Sequence, residues 1–442
     1  MIPPWGDSIP EDWEVTPLKH LTKTVTGGTP NRSDASFWEG SIPWVSSKDM
    51  KEGELVDTEE HVTQKAIEEG ETTLVPKGSL LMVSRSGILE HSIPVAVANR
   101  ELAINQDIRA YIPEGNIRSR YLRNLFIGFE DDLLQLWKQQ GATVQSLNSV
   151  AVSETQIPVP SIETQRSIIS YCETKAKNID SLVQKYDKLD TLLETQRQAI
   201  IDDLVSNGVS ESEQVEAALF GIESLPRDWE KIRLKFLLNG IEQGWSPQCN
   251  EIPASEDQWG VLKTGCVNHM SFDSTENKQL PADLEPKPEL EIKQGDVLMS
   301  RANTRDLVGS CAMAENPDSK LILCDKLYRL DVDDSICSPK YIVYALNSSF
   351  SRNQIELDAS GASSSMVNIS QEFVGNMEIP HPPLEEQKQI TRILDRRVQK
   401  INNIQEHIIS VIDLLREKRE TLMTRATTGQ IDFNHQNALP VN

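Results

Sequence analysis

The stretch ETQRSIISYCETKAKNIDSLVQKYDKLDTLLETQRQAIIDDLV, residues 163–205, determines how the rest of this chain is interpreted. Apolar residues recur in it at alternating steps of three and four once the polar positions Lys175 and Gln196 are counted. The apolar positions are Ile168, Cys172, Ile179, Leu182, Tyr186, Leu189, Leu193 and Ile200. A 3-4 repeat of this length without Pro or Gly predicts a coiled-coil helix. At about 1.5 Å per residue the helix is roughly 60 Å long.

The same pattern returns 222 residues later, in residues 385–426. Its apolar positions are Ile390, Leu394, Ile401, Ile404, Ile408, Val411, Leu415 and Leu422. The polar positions return as Arg397 and Lys418. Two long helices with matching hydrophobic seams are predicted to pair with each other.

The duplication extends beyond the helices, and its members keep nearly the same spacing. The matched pairs include 9–14 (IPEDWE) with 225–230 (LPRDWE), 81–85 (LMVSR) with 297–301 (VLMSR), and 157–160 (IPVP) with 379–382 (IPHP). The offset drifts only from 216 to 222 across the pairs. We interpret the chain as one unit of about 220 residues, a globular part followed by a long helix, that occurs twice.

Outside the helices, short apolar runs separated by Gly and Pro predict mixed domains of the α/β (α+β) class. In each copy a strand leads into an arginine, at 79–84 and 297–300, and a helix follows at 119–126 and 339–346. The predicted organisation is a globular domain at 1–160, a central helix at 161–208, a linker at 209–224, a second globular domain at 225–382, a C-terminal helix at 383–427 and a tail at 428–442.

Charge and cysteine content restrict the class of protein. With 44 Lys and Arg against 67 Asp and Glu, the formal charge is −23, which disfavours nucleic-acid binding because phosphate contacts need basic groups. The six cysteines form no CxxC pair and none has zinc-finger spacing to a histidine, so we expect reduced thiols in a cytoplasmic protein. Neither a signal peptide nor a membrane-spanning run is predicted.

The motifs of common enzyme classes are absent from the sequence. It has no phosphate-binding GxxxxGK[ST] loop and no GxGxxG after a strand. It also has no GxSxG nucleophile elbow. The nearest match to the Asn/Asp-Pro-Pro-aromatic loop of an amino-methyltransferase is 381–384 (HPPL), which lacks the acidic or amide residue and the aromatic. We therefore predict that this chain is not itself an enzyme, and that it holds no metal or cofactor.

Polar, arginine-bearing segments at corresponding places in the two copies are the candidates for binding nucleic acid, because Arg, Lys, Asn, Gln, Ser and Thr contact base edges and phosphates. The candidate residues are Thr29, Asn31, Arg32, Ser47, Lys48, Arg85, Ser86, Trp245, Gln248, Lys263, Thr264, Arg301, Asn303 and Arg305. Arg85 and Arg301 are the strongest, because each follows an apolar strand at the same place in the repeat. The alternative for these two is a structural ion pair, and for the others an ordinary polar loop.

Taken together, the motifs resemble those of the specificity (S) subunit of type I restriction-modification systems, over nearly the whole chain. The residues that carry the resemblance are 9–13 and 225–229, 27–30 (GGTP) with 42–44 (IPW), 157–160, 379–387 (IPHPPLEEQ) and 428–432 (TGQID). The second copy departs from the first, with 245–247 (WSP) in place of 28–30 (GTP). Such differences are expected if the two copies recognise different DNA sequences.

The resemblance implies a non-catalytic DNA-recognition subunit. Each globular domain would be a target-recognition domain that reads one half of a bipartite site in double-stranded DNA. The two helices, paired antiparallel, would set the spacer and dock two methyltransferase (M) subunits, which carry S-adenosylmethionine. Restriction (R) subunits, which use ATP and Mg, would join for cleavage. The alternative is a protein-interaction scaffold or acidic DNA mimic without sequence readout, which the charge of −23 favours.

Overall fold

The computed structural model describes residues 4–6, 9–51, 53–139, 144–210, 212–219, 221–318, 320–358 and 366–433. The chain divides into two compact units. The first unit comprises Met1–Asp187 and Ile409–Asn442, and the second comprises Lys188–Ile408. Each unit therefore contains part of both long helices.

The first unit is a mixed α/β structure. Its described strands are β1 (Glu14–Pro17), β2 (Thr22–Thr26), β3 (Trp38–Val45), β4 (Glu54–Leu55), β5 (Glu60–Val62), β6 (Thr73–Val75), β7 (Leu80–Val83), β8 (Val95–Ala98), β9 (Leu102–Ile104), β10 (Ile108–Pro113) and β11 (Gln156–Val159). Its helices are α1 (Gln64–Glu68), α2 (Ser119–Gly128), α3 (Glu130–Trp137), α4 (Ser149–Glu154) and the start of α5 (Ile162–Asn207). The strands form sheets in the orders β2-β10-β7-β8-β4 and β5-β3-β9-β6, and the pair β1-β11.

The second unit repeats this plan. Its described strands are β12 (Gln214–Leu219), β13 (Ile222–Pro226), β14 (Glu230–Arg233), β15 (Leu238–Gln243), β16 (Gly260–Leu262), β17 (Val267–Asn268), β18 (Ser271–Phe272), β19 (Asn277–Gln279), β20 (Val297–Ser300), β21 (Ala302–Asn303), β22 (Cys311–Met313), β23 (Leu321–Ile322), β24 (Leu327–Val332), β25 (Val367–Asn368) and β26 (Glu378–His381). Its helices are α6 (Pro339–Leu346), α7 (Ser349–Asp358), α8 (Gln371–Asn376) and the start of α9 (Leu384–Thr427). The order β15-β24-β20-β22 matches β2-β10-β7-β8, and the pair β14-β26 matches β1-β11.

In each unit the two long helices run antiparallel and join the core. In the second unit Gln405 donates to Asp190 (2.9 Å) and Arg197 donates to Asn402 (3.4 Å), so the numbers fall along α9 as they rise along α5. In the first unit Arg419 lies 3.5 Å from Asp180. The first core includes Ile168 and Cys172 of α5 with Met423 and Ala426 of α9. The second includes Ile201 and Leu204 with Ile390 and Leu394.

Both long helices end in the same way. Gly208 and Gly429 follow α5 and α9 with φ of +75° and +73°, the left-handed conformation in which glycine commonly terminates a helix. A Cβ at Gly208 would lie 2.9 Å from the Trp229 ring, and one at Gly429 would lie 3.1 Å from the Trp13 ring. The indole N–H of Trp229 donates to Glu386 (2.9 Å). The two tryptophans of the repeat, Trp13 and Trp229, thus pack against the ends of the long helices.

The start of each long helix is held by a buried glutamine. Gln165 donates to the carbonyl of Pro160 (2.9 Å) and accepts from the backbone N–H of Arg118 (3.0 Å). Its counterpart Gln387 donates to Pro382 (2.8 Å) and accepts from Ser338 (2.8 Å). Both glutamines are fully buried. Because buried amides must find partners, these bonds fix each helix on its own globular domain.

A tyrosine in each globular domain makes a second matched bond. The hydroxyl of Tyr121 donates to the carbonyl of Pro158 (2.8 Å), and the hydroxyl of Tyr341 donates to the carbonyl of Pro380 (3.0 Å). Both rings are fully buried. The IPxP segments that carried the resemblance are therefore strands whose free carbonyls are satisfied from α2 and α6.

The structure confirms the mixed α/β fold class, the two long helices and the duplication. Two features differ from expectation. The segment 209–224, predicted as a linker, contains β12 and part of β13, which form an antiparallel hairpin. Its alternating Val215, Ala217 and Leu219 supply one apolar face, and Leu219 is buried. The linker prediction rested on the acidic composition and overlooked this alternating strand pattern.

The second difference concerns the hydrophobic seam of the helices. The mid-helix seam residues Leu182, Leu189 and Ile404 are 42%, 41% and 44% exposed. Seam residues nearer the globular domains, such as Ile168 and Ile390, are fully buried. The heptad pattern identified the apolar positions, but the middle of the seam is only partly covered, because Ile179, Leu193, Ile401 and Ile408 are buried there while the three residues above are exposed.

Candidate nucleic-acid interface

A glycine-dependent backbone contact builds the candidate site of the first unit. A Cβ at Gly27 would lie 1.7 Å from the carbonyl oxygen of Ile104, and the N–H of Gly28 donates to the same oxygen (3.1 Å). Only glycine permits so close an approach of two backbones. The contact places Thr29 beside Gln106, and the threonine hydroxyl donates to the amide oxygen of that glutamine.

The second unit repeats this contact with other side chains. A Cβ at Gly244 would lie 2.0 Å from the carbonyl oxygen of Leu323, and the N–H of Trp245 donates to that oxygen (2.9 Å). The hydroxyl of Ser246 then donates to the carboxylate of Asp325, whose own N–H donates back to it (3.1 Å). The backbone arrangement is conserved between the two units, whereas the paired polar groups change from Thr and Gln to Ser and Asp.

Arg85 lies next to this contact in the first unit. Its backbone N–H donates to the carbonyl of Asp107 (3.3 Å), which also accepts from Ser84 (2.7 Å). The side chain is exposed, and among the described residues it has no carboxylate within 4 Å. Arg85 lines a cavity of about 310 Å³ together with Gln106, Arg109, Gln139, Ser146 and Asn148. The ion-pair alternative thus finds no partner for Arg85 there.

Arg301 occupies the corresponding place in the second unit. Its backbone N–H donates to the carbonyl of Lys326 (2.9 Å), and its guanidinium donates to the carbonyl of Asp325 (3.1 Å). Gln243 donates to the same carbonyl (3.1 Å). Arg301 therefore also has no carboxylate partner within the described part of its unit, but it is half-buried and more constrained than Arg85.

Arg32 has the contacts of a structural ion pair. Its guanidinium donates to both carboxylate oxygens of Glu60, one of them at 2.9 Å, and lies 4.3 Å from the centre of the Trp38 ring. The hydrogen bond from Arg32 lowers the pKa of Glu60, and the same bond raises the pKa of Arg32. The guanidinium is already bound on one edge and one face, which leaves less of it for a base.

The other candidates of the first unit lie in exposed turns. The side chain of Asn31 accepts from the N–H of Ser33 (3.0 Å) and so stabilises its own turn. The hydroxyl of Ser86 accepts from the N–H of Ile88 (3.4 Å) at the start of a short helical turn. Lys48 is exposed and Ser47 is partly exposed. Their assignment to nucleic acid stays a prediction.

Three candidates of the second unit surround the Gly244 contact. The ring of Trp245 has the ammonium of Lys287 4.7 Å above it. Gln248 is exposed two residues beyond Ser246. Asn303 lies in β21, two residues after Arg301, and donates to the hydroxyl of Ser300 (3.3 Å).

The remaining three are less closely associated with that contact. Lys263 lies 3.6 Å from Glu276 and Thr264 begins the turn that follows it. Arg305 has an exposed side chain, and its carbonyl accepts from Arg352 (3.1 Å). These positions likewise stay predictions.

Sequence reasoning missed several polar residues that the structure gathers around the two arginines. They are Gln106, Arg109, Gln139 and Asn148 in the first unit and Gln243, Asp325 and Lys326 in the second. Gln106 and Asp325 each lie two residues before a strand, β10 and β24 respectively, so their position near a sheet edge was the available signal. Gln139 and Asn148 reach the site only because β-bridges pair residues 85 with 146 and 138 with 147.

The cysteines and acidic groups are the residues that could hold a metal ion or act as nucleophiles. In the described ranges no group of three His, Cys, Asp or Glu could hold a metal ion, and no helix there is long and apolar enough to cross a membrane. Burial raises the pKa of Cys172 to about 12 and that of Cys324 to about 11. Thiols with such pKa values are not activated as nucleophiles.

Known proteins resemble this chain in sequence and in fold. The family model of the type I restriction modification DNA specificity domain matches residues 10–191 and again 226–414. The type I restriction enzyme EcoEI specificity subunit of Escherichia coli is 38% identical over 160 residues, which are 36% of this chain and 27% of that subunit. The chain thus matches about a quarter of the length of that relative. The EcoKI specificity subunit of E. coli strain K12 is 19% identical over 96% of this chain and 90% of its own length.

A solved structure shares the fold. It comes from work on the complex assembly and conformational transition of the type I R-M system, and it superposes with a TM-score of 0.67 at 17% identity. The match covers 96% of this chain and 99% of the other.

Proposed function

This chain belongs to the family of type I restriction modification DNA specificity domains, and on that basis we propose that it is the DNA-recognition subunit of a methyltransferase and endonuclease complex. Each unit reads one half of a bipartite site in double-stranded DNA. Catalysis resides in the partners: S-adenosylmethionine in two M subunits, and ATP with Mg in R subunits. The chain itself supplies recognition and assembly in the cytoplasm.

One observation carries the recognition role. The two units share a backbone contact, at Gly27 and Gly244, next to an arginine that has no carboxylate partner among the residues that the structure describes. The polar groups around that shared contact differ between the units. Arginine binds the O6 and N7 acceptors of guanine, glutamine binds adenine, and aspartate accepts from cytosine. The same backbone arrangement with different polar side chains in the two units suits recognition of two unlike half-sites.

The long helices support the assembly role. Their middle exposes apolar residues in the second unit, among them the seam residues Leu189 and Ile404 and, outside the seam, Leu192. Exposed apolar residues on a helix are available for association with another protein. We assign this face to the M subunits and assign the length of α5 and α9 to the spacer between the half-sites.

The second candidate function is a scaffold or acidic DNA mimic, favoured by the net charge of −23. The two functions differ in sequence readout. A recognition subunit assembled with its M subunits shifts duplex DNA that carries the split site, and added salt weakens the shift. A scaffold or mimic does not distinguish that duplex from a scrambled one.

The test is a genome-wide map of adenine methylation in cells that express the neighbouring methyltransferase with and without this chain. We expect a split motif that depends on the chain. Arg85→Ala is expected to relax or weaken one half-site and Arg301→Ala the other, with about 1–3 kcal/mol of lost discrimination per bidentate contact. A map that never depends on the chain would refute recognition, and equal loss at both halves would assign the arginines to folding or assembly.

A further inference from the structure

The two units carry matched cavities where the long helices meet α2 or α6. In the first unit a cavity of about 690 Å³ is lined by α2, α5 and α9, with Arg120, Arg123, Glu173 and Arg419 among its residues. In the second unit a cavity of about 590 Å³ is lined by α6, α9 and α5, with Lys340, Val343, Asp395 and Arg197 at the corresponding places. The offsets of 220 and 222 are those of the repeat.

In the second cavity the charges are paired. Lys340 lies 3.0 Å from Asp395 and 3.7 Å from Glu315. The hydroxyl of Tyr344 donates to Asp395 (2.9 Å), and Arg197 binds Glu194 (2.6 Å). This cavity is therefore electrostatically complete within the chain.

The lining of the first cavity has four cations, Arg120, Arg123, Lys177 and Arg419, against three carboxylates, and Lys177 is exposed. Arg120 lies 2.5 Å from Glu54 and 3.3 Å from Glu173, and Arg419 lies 3.5 Å from Asp180. These pairs use every carboxylate of the lining. Arg123 has no carboxylate or other hydrogen-bond partner among the described residues, and its Nε atom is buried.

Two further groups of the first cavity lack partners. The amide nitrogen of Asn124 has none, although its side chain is only 2% exposed, and the Nε atom of Arg419 has none either. Burial is the main cause of a lowered pKa of Arg123; the positive charge of Arg419 lowers it further, whereas the charges of Glu54 and Glu173 act in the opposite direction. A charge that loses water without gaining a partner destabilises the fold, and such a cost is characteristic of a functional site.

We propose that the first-unit cavity receives an acidic side chain of the protein partner that docks on the helices, and that the second-unit cavity offers no equivalent receptor. The inference rests on the proposed function, because the partner is the M subunit. The lining has one positive charge in excess of its carboxylates, and a single carboxylate of a protein can balance it by pairing with Arg123 and Asn124.

The consequence is unequal docking of two copies of one partner. The copy at the first unit gains a buried charge-assisted bond, and the copy at the second unit meets Val343 and Tyr344 instead of Arg123 and Asn124. The first copy therefore binds more tightly, and assembly passes through a complex with one M subunit.

The experiment is a calorimetric titration of the full chain with its methyltransferase, with native mass spectrometry to count bound copies. The wild type is expected to show two binding events of different affinity. Arg123→Met is expected to weaken the tighter event by about 30-fold or more, the usual loss when one partner of a buried interfacial charge pair is removed. Val343→Met is the matched control at the equivalent position and is expected to change neither event.

The variant chain also separates docking from folding. Because Arg123 is unpaired, Arg123→Met is expected to leave the melting temperature of the free chain unchanged or higher. Two equal events in the wild type, unchanged affinities in Arg123→Met, or an equal loss in both events would overturn the proposal. If the wild type bound no methyltransferase at all, the proposed function itself would fail, and this inference with it.

Discussion

Replacing Gly27 by alanine tests the backbone contact on which the first candidate site is built. The added Cβ would lie 1.7 Å from the carbonyl oxygen of Ile104, so the two backbone segments must separate. The change breaks the hydrogen bond from Gly28, at about 1 kcal/mol, and strains the packing by about 1–3 kcal/mol. For a domain of this size the sum corresponds to a fall in melting temperature of roughly 4 to 16 °C.

The assay is differential scanning calorimetry of the full chain, in which the two units give separate contributions. We expect Gly27→Ala to lower the transition of the first unit and Gly244→Ala that of the second. Gly87→Ala is the matched control, because a Cβ there meets nothing within 4 Å, and its effect should stay within about 0.5 kcal/mol. If Gly27→Ala and Gly87→Ala melted alike, the close contact, and with it the common frame of the two sites, would be wrong.

Three further predictions address the core, the thiols and the helices. Tyr121→Phe removes the donor to the buried carbonyl of Pro158 and is expected to cost about 1–3 kcal/mol of unfolding free energy in urea titrations; an unchanged midpoint would contradict the bond. Cys249, the least buried thiol, should react with iodoacetamide before the other five in mass-spectrometric mapping. Its burial raises its pKa, so labelling should increase with pH beyond the range of an ordinary thiol, and earlier labelling of any other thiol would count against the fold. Inserting seven residues after Asp187 in α5 and after Ile408 in α9 keeps the heptad register and lengthens each helix by about 10.5 Å. The methylated motif should then widen by about three base pairs at about 3.4 Å each, and an unchanged gap would exclude the helices as the spacer.

The long helices could be predicted from sequence because their signal is local. The apolar period placed the first helix at 163–205 and the structure has Ile162–Asn207. The exposure of Leu189 could not be predicted, because a heptad pattern specifies an apolar face without specifying what covers it. The strand Gln214–Leu219, which forms a hairpin with β13, was missed for a related reason: its acidic residues outweighed a short alternating pattern.

The candidate site could be predicted only in part, because its parts meet through non-local contacts. The place of Arg85 and Arg301 in the repeat marked them correctly as equivalent. The partners Gln106 and Asp325 are 77 and 79 residues from the loops they bind, and no local pattern joins such positions. The pairing of Arg32 with Glu60 was likewise open, since a sequence of this composition offers many carboxylates.

The division of the helices between the units has a consequence for how the chain is made. The second unit is continuous, Lys188–Ile408, whereas the first needs Ile409 onward to complete its core. Met423 and Ala426 are buried in that core, and Tyr121 also donates to the carbonyl of Thr427 (3.2 Å). Domains usually fold in the order of their synthesis, but here the first unit must wait for residues from Ile409 onward, which are translated after the whole second unit. During translation the second unit can fold before the first unit is complete. A chain whose synthesis stops after residue 408 therefore contains the whole second unit but cannot complete the core of the first.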